Sequence, residues 1–482
     1  MFWNINILEH LELEFIIFIQ LIFLFFIINK VKIQEKIPSI YIFEKKKSIL
    51  EENIKLLGFL SNYILFNILI VTWQQYKGNL AEILINNFEN IIIYLSFLIL
   101  LFIFKLNIFF ILKHCKNIIH VIFFIFIIWT SLHGLILMIK TNEIITIYFS
   151  IEIFSQSLFF LILLFIINTK GVKQIKMLYT LLYYVIYNGI FSAIFVGGIS
   201  SLYENTSNLN LLIISKIFNI SYLEKINFFF IPIYESNNFT QDNFLGCLAF
   251  FFFFIFKLYI YPFHIVYNRL IGFIPIYIYI YNLLIPKIYF IYMLYKLINL
   301  LRFGIAIEIV EYLIILSISS FGIASLFMLN EKKIREFLFY SSLANNSFII
   351  TLLILFFYNK IVILLILFYY YFCVLIICYI WNNFIIYNKK NNSLEPFKYF
   401  YQFRLIWLEK NKWINQKYLF FFSIFTLSAL APTFSFLLKY LVVYNLFIMS
   451  SHYITIILLL FSIINSIAYL LLFFSLIPVS HK

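Results

Sequence analysis

Charged residues are scarce in this chain of 482 residues, because they make up 12% of it while hydrophobic residues make up 64%. Soluble domains carry about 25% charged residues. The mean hydropathy of +0.99 is strongly positive, so water cannot be the main solvent of the chain. The composition therefore excludes an ordinary soluble protein and predicts a polytopic membrane protein.

Cysteine, glycine and proline are also rare, with 4, 11 and 8 residues. The cysteines lie in or beside apolar runs without metal-ligand spacing, so they predict small core residues and no metal site. The first 15 residues, MFWNINILEHLELEF, contain no Lys or Arg and fit neither a secretory signal nor an Arg-rich transit peptide. We therefore expect insertion without a cleaved presequence. The excess of Phe, Tyr, Ile, Asn and Lys indicates an AT-biased, organellar coding source.

Long apolar runs predict an all-α protein with about thirteen transmembrane helices, because each run can cross a hydrocarbon layer of ~30 Å. The runs are continuous and do not alternate with polar residues, so helices are favoured over a barrel. The predicted spans cover residues 15–29, 56–74, 90–112, 117–139, 144–167, 177–203, 243–267, 273–297, 304–328, 337–358, 361–387, 418–447 and 453–478.

The distribution of Lys and Arg supports this assignment of spans. Alternate loops, beginning with the loop between the first and second spans, hold 24 of these residues, whereas the other loops hold 7. Such an asymmetry marks the side of the membrane on which the chain is synthesised. The two most basic loops, 30–55 and 389–417, are predicted to meet anionic lipid headgroups. Nucleic-acid binding is the alternative for these loops, and lipid contact is the simpler interpretation.

Lys105 and Lys296 fall within the bounds of the third and eighth spans and are counted above with the loops that follow them. Three further lysines, Lys257, Lys287 and Lys439, are counted with no loop or terminus and lie inside predicted spans. A charge at the centre of a bilayer costs about 2.5 to 3.5 kcal/mol, so these positions imply hydrated or protein-lined surroundings. Snorkelling to the interface is the alternative, and it fits Lys287 least because this residue is near the middle of its run. One acidic residue, Glu152, also lies well inside a span. Glu308 and Glu311, near the start of the ninth span, are secondary candidates.

Prolines accompany two of these lysines: Pro262 follows Lys257, and Pro432 precedes Lys439. A proline removes a backbone donor and interrupts a helix. In a bilayer the freed carbonyls need protein or water, so broken helices mark cavities and ion paths, with a harmless kink as the alternative. His264, two residues after Pro262, is a candidate proton relay or a polar residue at a helix end.

The spacing of these residues resembles subunit 2 of the respiratory NADH:ubiquinone oxidoreductases, one of the antiporter-like membrane subunits. The shared features are Lys257, the triplet Pro262-Phe263-His264, and the pair Pro286-Lys287. The stretches 134–158, 188–203, 329–353 and 426–444 also resemble parts of that family, in the same order. The residues that usually follow Pro-Phe-His are replaced by IVYNRLIGF, and Asn345 occupies the usual position of a histidine.

The resemblance implies two inverted five-helix repeats, at 117–303 and 304–478, preceded by N-terminal helices at 1–116. It also implies that the seventh and twelfth helices are broken. The implied activity is proton translocation coupled to NADH oxidation by quinone, in the mitochondrial inner membrane, beside other membrane-arm subunits and lipids. No bound cofactor is implied, and the chain has no dinucleotide fingerprint and no cysteine cluster for iron and sulfur.

The acid–base chemistry of lysine explains how such a subunit could move protons. Desolvation favours the neutral form of an amine, whereas a neighbouring carboxylate favours the charged form. Two charges about 6 Å apart interact by roughly 2.8 kcal/mol at an effective dielectric near 20, so moving one charge can switch its neighbour. We expect Glu152 to pair with Lys257, Lys287 to be the central carrier, and Lys439 to relay the proton onward. There are two alternatives to this function: a subunit of a cation/proton antiporter, and a structural membrane subunit with lipid-facing lysines.

Overall fold

The computed structural model of the protein describes residues 92, 93, 96, 118–168, 172–217, 236–271, 274, 276–300, 306–355, 424, 425, 427, 428, 434–448 and 452–476. The first two predicted spans, most of the third and all of the eleventh lie outside this part of the chain. Its helices include α1 Ile118–Lys140, α2 Ile144–Asn168, α3 Val172–Thr206, α4 Ser236–Lys257, α5 His264–Ile271, α6 Ile276–Leu300, α7 Ala306–Asn330, α8 Ile334–Leu355, α9 Phe434–Ile448 and α10 His452–Leu476. Residues 211–217 are also helical.

The described fold is helical, as the continuous apolar runs predicted. Six of the described helices are long and apolar enough to cross a membrane: α1, α2, α3, α6, α7 and α10. The helices α1, α2, α3, α6, α7, α8 and α10 coincide with the predicted fourth, fifth, sixth, eighth, ninth, tenth and thirteenth spans. The prediction of a polytopic all-α membrane protein is therefore confirmed, whereas the total of thirteen helices and the two repeats remain predictions.

Short turns fold the helices into antiparallel pairs. Residues 141–143 join α1 to α2, and residues 331–333 join α7 to α8. Small residues let neighbouring backbones approach closely, which is how membrane helices gain packing energy. A Cβ added to Gly134 of α1 would lie 2.7 Å from the Ser150 carbonyl oxygen of α2, and one on Gly246 of α4 would lie 2.6 Å from Ser201 Oγ of α3.

Contacts between helix ends show which loops share a side of the protein. The backbone N–H of Ile144 donates to the Leu209 carbonyl, so the α1–α2 turn lies beside the segment after α3. The Lys296 ammonium near the end of α6 donates to carbonyls at the end of α1, at 3.0 Å. At the opposite ends, Arg335 of α8 donates to the Ile274 carbonyl before α6, at 3.0 Å. These contacts agree with the loop assignment, which placed the start of α6 and the start of α8 together on the basic side.

The central helix of the described part is α6. Its residues 278–295 are all buried, whereas only 22% of an 18-residue stretch within Gln174–Thr206 of α3 is buried. α6 contacts α1, α4 and α8. Polar side chains on α6 therefore face other helices, and any charge on it must be accommodated by protein.

Candidate functional site

The predicted seventh span is broken in the structure. The helix α4 ends at Lys257, six non-helical residues follow, and α5 begins at His264. The break starts with a Schellman motif, in which the Tyr259 N–H donates to the Phe256 carbonyl at 3.0 Å and the Ile260 N–H donates to the Ile255 carbonyl at 3.2 Å. Pro262 lies in the break. The helix interruption predicted beside Lys257 coincides with this break.

Tyr259 occupies the left-handed position of this motif, with φ at 62°. Glycine is the usual residue there, and a bulky side chain in this conformation costs roughly 1 to 3 kcal/mol. The Tyr259 ring stacks on the Tyr267 ring of α5, with 3.8 Å between the centroids and 12° between the planes. The strained residue therefore joins the two sides of the break through its side chain.

Lys257, the last residue of α4, is 4% exposed. Its ammonium donates to Asn188 Oδ1 of α3 at 2.5 Å and lies 5.2 Å from the centroid of the Phe253 ring. The rings of Phe191 and Phe256 stack beside it with centroids 4.1 Å apart. The lysine is therefore enclosed by protein, with a neutral amide oxygen as its hydrogen-bond acceptor.

Glu152 was expected to pair with Lys257, and it does not form a direct ion pair with it. Among the described residues the one ion pair joins Lys333 to Glu336, at the start of α8. Glu152 instead accepts a hydrogen bond from Ser155 at 3.1 Å and lies within electrostatic range of Lys257. The reason is that α3 packs against both α2 and α4, so that Asn188 of α3 reaches the ammonium first.

Lys287 is 1% exposed near the middle of α6, directly after Pro286. Its ammonium donates to Ser342 Oγ of α8 at 3.0 Å. The serine in turn donates to the Phe339 carbonyl at 2.7 Å. Snorkelling is therefore excluded for Lys287, and the structural alternative with lipid-facing lysines is wrong for both Lys257 and Lys287.

The other predicted residues are placed less centrally. Lys439 of α9 is half-buried, and its ammonium lies 3.5 Å from the Ser428 carbonyl oxygen. His264 is 4% exposed at the start of α5, and its Nδ1 has no hydrogen-bond partner among the described residues. Its ring lies 6.4 Å from that of Tyr340. Pro432 and the side chains of Glu308 and Glu311 lie outside the part that the structure describes.

Sequence reasoning missed the partners of the two buried lysines. Asn188 and Ser342 are neutral, and each lies in an apolar helix where a polar side chain is costly to bury. That cost was the signal that could have found Asn188, since an amide inside a long apolar span needs a partner. The pairing itself depends on how α3 meets α4, which a single sequence does not reveal.

A broken membrane helix that ends on a buried lysine, beside a central helix with a second buried lysine, is typical of ion-translocating membrane proteins. A family model for the transmembrane region of NADH:quinone oxidoreductases and Mrp antiporters matches residues 141–465. The chain therefore belongs to the NADH:quinone oxidoreductase/Mrp antiporter family and is a proton-translocating, antiporter-like membrane subunit. No curated protein sequence matches the chain.

Solved structures share the fold. A chain of respiratory complex I from Thermus thermophilus with bound aureothin has 16% sequence identity and a TM-score of 0.62, with 90% of both chains covered. A chain of the Mrp complex from Dietzia sp. DQ12-45-1b has 13% identity and a TM-score of 0.64, covering 90% of this chain and 76% of that one. A chain of an archaeal membrane-bound sulfane sulfur reductase has 13% identity and a TM-score of 0.58, covering 88% of this chain and 91% of that one. These identities establish a common fold alone.

Proposed function

We propose that the protein is subunit 2 of an NADH:ubiquinone oxidoreductase and moves protons through Lys257, Lys287 and Lys439, with Glu152 controlling the charge at Lys257. The observation that carries the proposal is the pair of buried lysines with neutral hydrogen-bond acceptors, Asn188 and Ser342. The Pro286-Lys287 pair favours subunit 2 over the related antiporter-like subunits.

Neutral acceptors suit a lysine that must both hold and release a proton. A carboxylate in contact with a buried ammonium would be left as an uncompensated buried charge when the proton departs, at a cost of about 3 to 5 kcal/mol. An amide or hydroxyl oxygen can accept a hydrogen bond from an ammonium and equally from a neutral amine. The arrangement therefore lets Lys257 and Lys287 cycle between two protonation states without stranding a counter-ion.

Glu152 supplies the electrostatic control in this proposal. Its carboxylate forms no direct ion pair with Lys257, so its influence acts through space. Two charges about 6 Å apart would interact by roughly 2.8 kcal/mol at an effective dielectric near 20. Proton movement at Glu152 would thus be felt at Lys257. Lys287 then receives the proton, and Lys439 passes it to the far side, with His264 as a candidate relay and water as the connection between them.

The remaining assignments follow from this function. We propose the mitochondrial inner membrane as the location, other membrane-arm subunits and lipids as the partners, and no cofactor on this chain. As a non-redox subunit it would contribute to an NADH:ubiquinone reductase by translocating protons. The break at Pro262, together with the one predicted at Pro432, would provide the polar cavities that the transfer requires.

A cation/proton antiporter subunit is the second candidate, because the matching family model and the Dietzia Mrp complex include such proteins. Purification in mild detergent separates the two functions. The proposal predicts that NADH-oxidising subunits copurify with the chain and that NADH drives proton movement in the reconstituted assembly. Copurification with antiporter subunits alone, together with proton exchange driven by a sodium gradient, would overturn it.

A further inference from the structure

The short helix α5, which follows the break, contacts its surroundings through the side chain of Tyr267. The Tyr267 ring stacks on the Tyr259 ring of the break, with 3.8 Å between the centroids. The Tyr267 hydroxyl accepts a hydrogen bond from Asn282 Nδ2 of α6 at 2.5 Å. The same ring lies 5.6 Å, centroid to centroid, from the Phe339 ring of α8. α5 is therefore packed against the helix that carries Lys287 and against the helix that carries its acceptor.

Asn268, the next residue of α5, forms a hydrogen bond to α8. Its Nδ2 donates to the Tyr340 hydroxyl at 2.8 Å. The Tyr340 ring also stacks on the Phe327 ring of α7, with 5.1 Å between the centroids and 17° between the planes. Tyr340 is 4% exposed, so its hydroxyl needs a partner inside the protein. The bond from Asn268 is therefore a specific connection between α5 and α8.

The position of α8 decides whether Lys287 keeps its acceptor. The Lys287 ammonium donates to Ser342 Oγ at 3.0 Å. Hydrogen bonds of this kind extend to about 3.2 Å, so a displacement of α8 by roughly 1 Å would break this one. The hydroxyl hydrogen of Ser342 is already donated to the Phe339 carbonyl, one turn earlier in the same helix. The accepting oxygen therefore moves with the backbone of α8.

Two hydrogen bonds from neighbouring segments hold the first turns of α8. Arg335 donates to the Ile274 carbonyl at 3.0 Å, but it lies seven residues before Ser342, which is roughly 10 Å along a helix axis. Tyr340, which receives the bond from Asn268, lies two residues before Ser342, or roughly 3 Å. The contact with Asn268 therefore fixes α8 close to the acceptor of the second buried lysine.

We propose that Asn268 is a positioning residue for Lys287, because it holds α8 where Ser342 can accept the hydrogen bond of the ammonium. α5 is also stacked on the break that begins after Lys257. Since packed interiors transmit displacements, a movement of the break would reach the acceptor through α5 and α8. Asn268 lies in IVYNRLIGF, where the chain departs from the subunit 2 pattern, so this connection belongs to this chain. The inference rests on the proposed function.

The test uses membranes in which the whole complex is assembled, with NADH-driven proton movement expressed per assembled complex. Lys287→Met defines the rate that remains without the second lysine. We expect Asn268→Leu, which keeps the approximate size of the side chain but has no amide, to slow proton movement about two- to tenfold through loss of one positioning hydrogen bond. Tyr340→Phe removes the other end of the same bond and keeps the ring on Phe327. It should slow proton movement to the same extent, and it replaces Asn268→Leu should that variant fail to assemble.

Tyr289→Phe on α6 is the matched control. The Tyr289 hydroxyl forms an interhelical hydrogen bond of the same length, 2.8 Å, with Ser96 Oγ in the third predicted span. Its removal therefore costs the protein a comparable contact away from α5 and α8. Tyr289→Phe should pump like the unmodified protein.

The combination with Ser342→Ala separates positioning from a purely structural role. If Asn268 acts through the acceptor, Asn268→Leu should cause no further slowing in a Ser342→Ala complex, because residues of one network are not additive. A general defect of packing would instead multiply the two losses, and that result would overturn the inference. It is also overturned if Asn268→Leu pumps like Tyr289→Phe while Lys287→Met is slow. Should Lys287→Met itself pump normally, the proposed function fails, and the two failures are thereby distinguished.

Discussion

Replacement of Asn188 by leucine tests whether a neutral acceptor is needed beside Lys257. The ammonium donates to Asn188 Oδ1 at 2.5 Å in a site that is 4% exposed. Hydrogen bonds to charged groups contribute about 1.5 to 3 kcal/mol, and each 1.4 kcal/mol of a barrier is a factor of ten in rate. If loading of Lys257 with a proton is on the path, Asn188→Leu should slow that step by roughly 10- to 150-fold.

The companion variant is Asn188→Asp, which keeps the shape and the accepting oxygen but adds a charge. A contact ion pair at about 3 Å is worth roughly 5 kcal/mol at an effective dielectric near 20, before desolvation is subtracted. The aspartate should therefore hold the proton on Lys257 and block turnover as well. The assay is the initial rate of NADH-driven proton movement in vesicles, normalised to assembled complex. Asn205→Ala, near the end of the same helix, is the control.

Two results would refute this reasoning. If Asn188→Leu pumped as fast as the control, the hydrogen bond to Lys257 would have no part in the transfer. If Asn188→Leu were slow while Asn188→Asp were fully active, a fixed counter-ion would be compatible with turnover. Neutral acceptors would then not be needed for Lys257 to cycle between its two protonation states, even though Lys257 itself could still carry protons.

Two further predictions concern α8 and the α3–α4 contact. Ser342→Ala removes the hydrogen-bond acceptor of Lys287 and should destabilise the charged form of Lys287 by about 1.5 to 3 kcal/mol. Proton pumping should therefore slow about tenfold or more, without any loss of assembled complex. Ser319→Ala on α7 is the control, and equal pumping rates in the two variants would contradict the prediction. Gly246→Val should overlap with Ser201 and Gly198, destabilising the subunit by roughly 1 to 3 kcal/mol and lowering the amount of assembled complex on native gels. Gly189→Val, at a position with nothing within 4 Å of the added Cβ, should assemble normally.

The helices of the described part were predictable because hydropathy marks the segments that meet hydrocarbon. Helix ends were less so. The sixth span was predicted at 177–203, whereas α3 runs from Val172 to Thr206, and α4 begins at Ser236 although its apolar run begins near 243. Backbone hydrogen bonding continues a helix beyond the apolar stretch, so composition underestimates its length.

The helix break and the burial of two lysines were also predictable, because Pro262 and the cost of membrane charges are local properties of the sequence. The partners were not. Asn188 lies 69 residues before Lys257, and Ser342 lies 55 residues after Lys287. Pairing across such distances depends on which helices pack together. The same packing explains why Lys257 contacts Asn188 and not Glu152, the partner expected from the sequence. The position of Tyr259 at the helix end was not predicted, because its left-handed backbone conformation is one that glycine usually adopts.

The central claim is that Lys287 carries protons, and the number of protons moved per NADH oxidised in a Lys287→Ala complex tests it most directly. Lys332→Ala, an exposed lysine in the turn before α8, is the control. The proposal predicts that the proton-to-NADH ratio falls in Lys287→Ala and is unchanged in Lys332→Ala, with equal amounts of assembled complex. An unchanged ratio in Lys287→Ala would contradict the assignment of Lys287 as the carrier.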